Sequence, residues 1–239
     1  MSETLTIVIP AYNEESRLPR TLQELKIFAN TLQGFSLLEV IVVDDGSQDQ
    51  TTATTEGFAN TWSLLRCLRL SQNRGKGGAV HAGLKAAQGD WVLIADADMA
   101  TPWKELQNFA DLCADYDLVM GSRALKESHI VIRQHWLRQN MGRTFNKLLK
   151  SLVRLPYHDT QCGFKLIRND QVFRNEILQE LSVQRFAWDV ELLLFLRKYQ
   201  RRILETPVQW SHQEASRVRI VRDSFEMLLA VLRLRIRGL

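Results

Sequence analysis

The chain of 239 residues has no apolar run near the ~20 residues that a membrane-spanning helix needs, so no spanning helix is expected. Stretches such as Leu5–Pro10 and Val40–Val43 are far shorter. Cysteine is scarce: Cys67, Cys113 and Cys162 form no CxxC pair, which excludes a disulfide scaffold and points to reduced thiols in a cytoplasmic protein. The five histidines (His81, His129, His135, His158, His212) show no HExxH or paired spacing, so a zinc site is not expected. Neither GxxxxGK[ST] nor GxGxxG occurs, which disfavours ATP or dinucleotide binding by those motifs. The opening MSETLTIVIPAYNEE lacks a basic segment ahead of an apolar one, so neither a signal peptide nor a transit peptide is expected. No repeat, low-complexity tract or Pro/Gly-rich linker breaks the sequence. One domain over residues 1–221, with a carboxy-terminal amphipathic helix over 222–239, is the expected organisation. At 45% hydrophobic residues the chain has enough apolar side chains for a core.

Charge is unevenly spread. Residues 1–120 carry 9 Lys and Arg against 16 Asp and Glu, whereas residues 121–239 carry 22 against 11. One half therefore suits cations or neutral polar ligands, and the other suits an anionic surface: nucleic acid, membrane lipid or a phosphorylated substrate. Nucleic acid is disfavoured, because the basic half has no interleaved aromatic pattern or reading motif.

Short, continuous, β-branched apolar runs recur at Leu5–Ile9, Leu38–Val43, Leu64–Leu70, Trp91–Ala95 and Leu118–Met120, each followed by turn residues and a helical stretch. That alternation predicts an α/β fold with a mostly parallel central sheet covered by helices on both faces. Ligands of such sheets bind beyond the carboxyl ends of the strands. Those ends read PAYNEE, DDGSQD, SQNRGKGG, DADMAT and GSR, all polar. After Arg123 the pattern changes. From Ser128 to His158 there is no acidic residue but six Lys and Arg; Leu137, Met141, Phe145, Leu148, Leu152 and Leu155 share one helical face opposite Arg143, Lys147, Lys150 and Arg154. A basic amphipathic helix is expected there. At the carboxy terminus Phe225, Leu228, Leu229, Leu232 and Ile236 form one stripe and Met227, Val231 and Leu234 a second, with Arg233, Arg235 and Arg237 between them. Two stripes need two partners: the domain on one side, and lipid or another subunit on the other.

Asp96-Ala97-Asp98 follows a strand directly, so both carboxylates can turn into one crevice and clamp Mg²⁺ or Mn²⁺ on a diphosphate. The same residues also suit a capping turn before a helix starting at Pro102, with Thr101 as N-cap. Asp44, Asp45 and Gly46 form a second strand end, able to accept hydrogen bonds from a pyrimidine or ribose or to make an Asx-turn. Pro10, Ala11, Tyr12, Asn13 and Glu14 form a third; Tyr12 can stack on a base, Glu14 can bind ribose, and Asn13 can cap a helix. Asn73 to Gly78 leads into a helix N-terminus where Lys76 and backbone N–H groups favour an anion, or where the glycines simply make a turn.

Read in order, VIPAYNEE, VVDDGSQDQT, NRGKGGAVHAGL, ADADMAT and GSR resemble the nucleotide-sugar domain of family 2 glycosyltransferases with the GT-A fold. DTQCGFK (159–165), FAWDVE (186–191), Trp210 and SRVR (216–219) extend the resemblance to the branch that glycosylates polyprenyl phosphates, most closely the dolichyl-phosphate β-glucosyltransferases. Ala100 and Arg217 depart from patterns common among the relatives, where Ser or Gln and Lys respectively often stand. The resemblance implies a single inverting displacement: an α-linked UDP- or GDP-sugar, with UDP-glucose favoured over GDP-mannose, becomes a β-linked polyprenyl phosphate sugar. It assigns Asp96 and Asp98 to the metal and donor. Pro10 to Glu14, Asp44 to Gly46, Lys76 and Ala97 also go to the donor. Arg123, Gln161, Arg217 and Arg219 go to the diphosphate and acceptor phosphate. A phosphate acceptor needs no strong base; a sugar hydroxyl would, with Asp189 or Asp159 as candidates. Glu191 is expected as a surface charge, and Trp188 either belongs to the site or is an ordinary buried helix residue. A polyprenyl acceptor further implies an anionic membrane surface, a peripheral position on the cytoplasmic face, and a membrane or homo-oligomeric contact through the carboxy-terminal helix. A saccharide acceptor, or a binding module without catalysis, would share the nucleotide half.

Overall fold

The computed structural model describes residues 3–132, 152–213 and 220–237, with side chains of the last segment from residue 225 onward. The five apolar runs become β1 (Glu3–Ala11), β2 (Phe35–Asp44), β3 (Leu65–Arg69), β4 (Trp91–Ile94) and β5 (Leu118–Ser122). They alternate with α1 (Leu18–Ala29), α2 (Thr51–Ala59), α3 (Lys76–Ala86) and α4 (Glu105–Ala110). Beyond β5 come β6 (His129–Ile132), β7 (Lys165–Arg168), and a π-helical turn (Phe173–Ile177) that runs into α5 (Leu178–Glu180). α6 (Trp188–Lys198), β8 (Ile203–Pro207), β9 (Gln209–Ser211) and α7 (Ile220–Ile236) complete the described chain.

Seven strands form one sheet in the order β3-β2-β1-β4-β7-β5-β8, while β6 and β9 pair in a small parallel ribbon. All neighbours in the large sheet are parallel except β7, which runs antiparallel between β4 and β5. The expected mostly parallel α/β sheet is thus present. Its runs are apolar throughout because both faces are covered: Ile7, Ile9, Val40 and Val42 pack with Leu18, Leu22, Leu25 and Phe109 on one side. Val8, Ile41 and Val43 pack with Val80, Leu84, Trp188 and Leu192 on the other. Each fully buried aliphatic side chain contributes about 1.5–3 kcal/mol.

Two local expectations change. The helix expected from Pro102 begins at Glu105, since Pro102 to Lys104 form a tighter turn whose carbonyls accept from N–H groups three residues on. Glu191 is not a surface charge. It is fully buried on α6, where its carboxylate accepts from Ser182 N–H and Oγ–H at 2.9 and 2.8 Å and from Val183 N–H at 2.8 Å. The glycines at Asn73–Gly78 make the expected turn. Gly75 has φ +86, a Cβ on Gly77 would overlap the Val183 carbonyl, and the Gly78 N–H donates to Gln184 O at 2.6 Å.

At the carboxy terminus the inner stripe Met227, Val231 and Leu234 is buried in the core, whereas Phe225 is 61% and Ile236 85% exposed. The boundary drawn between 221 and 222 falls inside α7. Of the basic helix expected over 137–155, only its last residues are described: Val153 and Leu155 are buried and Arg154 is exposed. Arg217 and Arg219 lie outside the described residues.

Candidate active site

The carboxyl edge of the parallel strands carries β1's Ala11, β2's Asp44 and the turns after β4 and β5. Because β7 is antiparallel, its first residue joins them, with Lys165 in register with Ile94 and Met120. The edge divides into two parts.

Around β1 and β2 the polar groups serve one another. Asp44 is fully buried; one oxygen accepts from Ser47 N–H at 2.8 Å and the other from the Thr52 hydroxyl. Asp45 accepts from Arg74 N–H at 2.7 Å and Gly75 N–H at 2.8 Å, tying β2 to the turn before α3. Gly46 takes φ +70 with a Cβ position against the Gln72–Asn73 backbone, which only glycine tolerates. Pro10 and Ala11 end β1 and Tyr12 follows, half-buried. Asn13, at φ +52, donates its N–H to Ser47 Oγ and accepts from Gln48 N–H through Oδ1. The Glu14 N–H donates to Thr51 Oγ1, and its carboxylate takes Arg17 Nε at 2.6 Å.

Between β4, β7 and β5 lies a cavity of about 270 Å³. Lys76, Asp96, Asp98, Arg123, Gln161 and Asp189, six of the residues expected at the site, line it. Asp96 Oδ1 meets Lys76 Nζ at 2.6 Å; burial would raise this carboxyl, but Lys76 holds it below its ordinary value. A Cβ on Gly163 would overlap the same carboxylate, so glycine there gives Asp96 its room. Asp98 accepts from Ala100 N–H at 3.1 Å, and Arg17 approaches to 4.0 Å. Burial and the charge of Asp96 push its carboxyl up. Between the two, the Ala97 carbonyl turns away onto Thr21 Oγ1. Met99 follows at φ +52, a strained turn of the kind found beside functional groups.

The opposite wall is cationic. Arg123 grips Asp159 with Nε at 2.6 Å and Nη2 at 2.8 Å and stacks 5.5 Å from the Trp210 ring. Against the cost of burial, Asp159 holds the guanidinium charged, and Arg123 draws Asp159 down to about 2. A carboxylate so paired is a poor base. Lys165, fully buried, bonds the Cys162 carbonyl and lies 5.3 Å from the Trp188 ring; burial lowers its ammonium, against the pull of Asp189. Asp189 is the second residue of α6, which follows Ala187 at φ +75, and burial raises its carboxyl despite Lys165 and Lys76. Gln161 donates through Nε2 to Met227 Sδ at 3.5 Å, which brings α7 into the cavity wall.

Two carboxylates in one cavity, one of them disfavouring its own charge beside the other, fit a hard divalent cation. Among the described residues no set of three or more His, Cys, Asp and Glu could hold a metal. The remaining ligands would therefore be donor phosphate oxygens and water, as is usual for Mg²⁺. Sequence reasoning gave no role to Lys165, Gly163 or Arg17. Lys165 stands inside the DTQCGFK segment, and that is the one signal that marked it.

A model of the family described as Glycosyl transferase family 2 matches residues 6–173. A dolichyl-phosphate beta-glucosyltransferase of Dictyostelium discoideum is 35% identical, covering 98% of this chain and 75% of that protein. A Homo sapiens protein of the same name is 34% identical over 91% and 70%. Among solved structures, glucosyl-3-phosphoglycerate synthase from Mycobacterium tuberculosis, in complex with Mn²⁺, UDP and phosphoglyceric acid, superposes with a TM-score of 0.68. It is 20% identical and is covered over 98% of this chain and 78% of that one. Mannosyl-3-phosphoglycerate synthase from Rubrobacter xylanophilus gives 0.69 at 17% identity, over 99% and 75%. At these identities the structures speak for the GT-A fold alone.

Proposed function

The chain belongs to glycosyl transferase family 2, and from that premise we propose an inverting glucosyltransferase that moves glucose from UDP-glucose to the phosphate of a dolichyl-type polyprenol, using Mg²⁺ or Mn²⁺. The observation that carries the reading is the cavity at the sheet edge, where an acidic pair faces a cationic wall. One wall suits a metal and the other suits phosphate, and the curated relatives that match nearly the whole chain bear dolichyl-phosphate beta-glucosyltransferase names.

In this reading Asp96 and Asp98 hold the cation, which supplies Lewis-acid stabilisation to the departing diphosphate. Arg123 has three N–H groups beyond the two spent on Asp159 and offers them to phosphate, with Asp159 and Trp210 fixing its plane. Lys165 adds fixed positive potential behind Asp189. A phosphate oxygen of the acceptor attacks the anomeric carbon as the bond to the diphosphate breaks, so the configuration inverts. The acceptor phosphate is already largely ionised near neutral pH, its second pKa lying at about 6, so Asp189 need not take a proton. With a hydroxyl acceptor Asp189, raised by burial and facing the cavity, would be the base.

No helix among the described residues is long and apolar enough to cross a membrane. The enzyme would meet the cytoplasmic face of a membrane through α7. Its inner face carries Met227 into the cavity wall, while Phe225, Leu229, Leu232 and Ile236 lie outward beside exposed Arg233, Arg235 and Arg237. Transfer of radiolabelled sugar from UDP-glucose, UDP-GlcNAc and GDP-mannose to purified dolichyl phosphate, with and without Mg²⁺ or Mn²⁺, tests the reading. A metal-dependent, chloroform-soluble product from UDP-glucose is expected. Donor hydrolysis without lipid product would move the acceptor to a soluble hydroxyl.

A further inference from the structure

The Lys76–Asp96 pair occupies the place the metal needs. Asp96 Oδ1 is taken by Lys76 Nζ at 2.6 Å, and its other side is closed by Gly163, where a Cβ would overlap the carboxylate. Gly163 thus limits how far the carboxylate can turn away from the lysine. Lys76 is equally fixed at its root. It is the first residue of α3, set by Gly75 at φ +86 and by the close packing of Gly77 and Gly78 on residues 183–184 and Arg74. The 182–184 loop that α3 packs on is in turn held by buried Glu191. Only the flexible stem of Lys76 is left to move, and it moves within a cavity large enough to take it.

We propose that Lys76 is a built-in stand-in for the divalent cation: its ammonium neutralises Asp96 until the donor arrives, and the donor diphosphate then takes the ammonium over as the metal takes Asp96. This rests on the metal role of Asp96 and Asp98 given above. A divalent cation on Asp96 Oδ1 and the Lys76 ammonium at contact distance repel each other, so each weakens the other's hold on the carboxylate. Metal alone therefore competes with Lys76, whereas metal together with diphosphate does not, since the diphosphate supplies a new anion for the lysine. Metal and nucleotide consequently bind as one event, each strengthening the other by the same factor. The arrangement spares the crowded carboxylates an uncompensated charge between turnovers, and it keeps the enzyme from holding metal without donor.

Mn²⁺ binding to the full chain, read as loss of the free-ion signal in electron paramagnetic resonance, tests this with and without UDP and with no acceptor present. The wild type should bind Mn²⁺ weakly alone and tightly with UDP. Lys76→Met should bind Mn²⁺ alone about tenfold more tightly than the wild type, and UDP should add correspondingly less. Lys76→Arg, which keeps the charge, should behave as the wild type, and Lys76→Gln should follow Lys76→Met if the methionine variant fails to fold. General damage to the site would weaken Mn²⁺ binding, so a gain is diagnostic. Equal or weaker donor-free binding in both neutral variants would overturn the proposal. Asp96→Asn together with Asp98→Asn in the Lys76→Met background separates the two readings: the pair should abolish the added Mn²⁺ binding, and binding that survives it would remove the metal from Asp96 and Asp98 altogether.

Discussion

At the β1–β2 end of the sheet edge, Asp44 and Asp45 give all four carboxylate oxygens to the protein's own loops. At the β4–β5 end, Asp96 and Asp98 line a cavity, with the Asp98 carboxyl pushed up by burial and then by the charge of Asp96. The same residue type, in the same place relative to a strand, thus does opposite work. The first pair stabilises the frame and leaves the edge rigid. The second is held by that frame in a state that a ligand improves.

The contrast is sharpest in Asp98→Asn. Transfer to dolichyl phosphate should fall by about 10²–10³-fold, the usual loss when a group that stabilises transition-state charge is removed. The thermal midpoint should not fall, because a charge next to Asp96 has been taken away. A lowered midpoint would mean that the two ends are alike. Asp45→Ala should do the reverse. Two backbone N–H groups lose their acceptor, and stability should drop by about 2–3 kcal/mol in denaturant unfolding. Any loss of turnover should then be recovered at lower temperature.

Asp159 is the cavity's own example of a fully spent carboxylate. Its folded value of about 2 lies below the ordinary 3.8, so the stability it contributes is complete above pH ~4 and fades as pH falls through 2. Asp159→Asn should therefore cost about 2 kcal/mol at neutral pH and much less near pH 2, measured by unfolding across that range. A pH-independent difference would show that the Arg123 pair is not its source. The smallest effect belongs to Asp189→Asn. With a phosphate acceptor kcat should change less than about tenfold, whereas loss of a general base would cost about 10²–10⁴-fold. The size of that one ratio identifies the acceptor's chemistry.

Much of this frame was legible in the sequence. The five apolar runs and the polar ends that follow them needed only the rule that doubly covered strands are continuously apolar. β7 and β8 gave no such signal. KLIR begins with a buried lysine and ends in an arginine that reaches the Trp91 ring, and ILETP carries a glutamate whose carboxylate accepts from His158 and Asp159 N–H. Their charges are satisfied by residues distant in sequence, which periodicity cannot see. Glu191 was misread for the same reason: its three donors lie on a loop that precedes its own helix. At the site, DAD and GSR announced Asp96, Asp98 and Arg123. Nothing in one dimension shows that Asp45 faces backbone donors while Asp96 faces a lysine. Lys165 was hidden because a buried ammonium is intelligible only beside the carbonyl, ring and carboxylate that compensate it.

The antiparallel strand β7 also sets the order in which the molecule can be made. It pairs with β4 on one side and β5 on the other, yet it is read some forty residues after β5. Until residues 165–168 have been synthesised and inserted, β4 and β5 have no partner between them, and both present bare edges open to wrong pairing. Insertion of β7 is therefore the step that delivers Gly163 and Lys165 beside Asp96, before β8 is added at the edge. Completion of the charged cavity thus waits on a long loop closure, which is slow, after Lys76, Asp96, Asp98 and Arg123 have all been made.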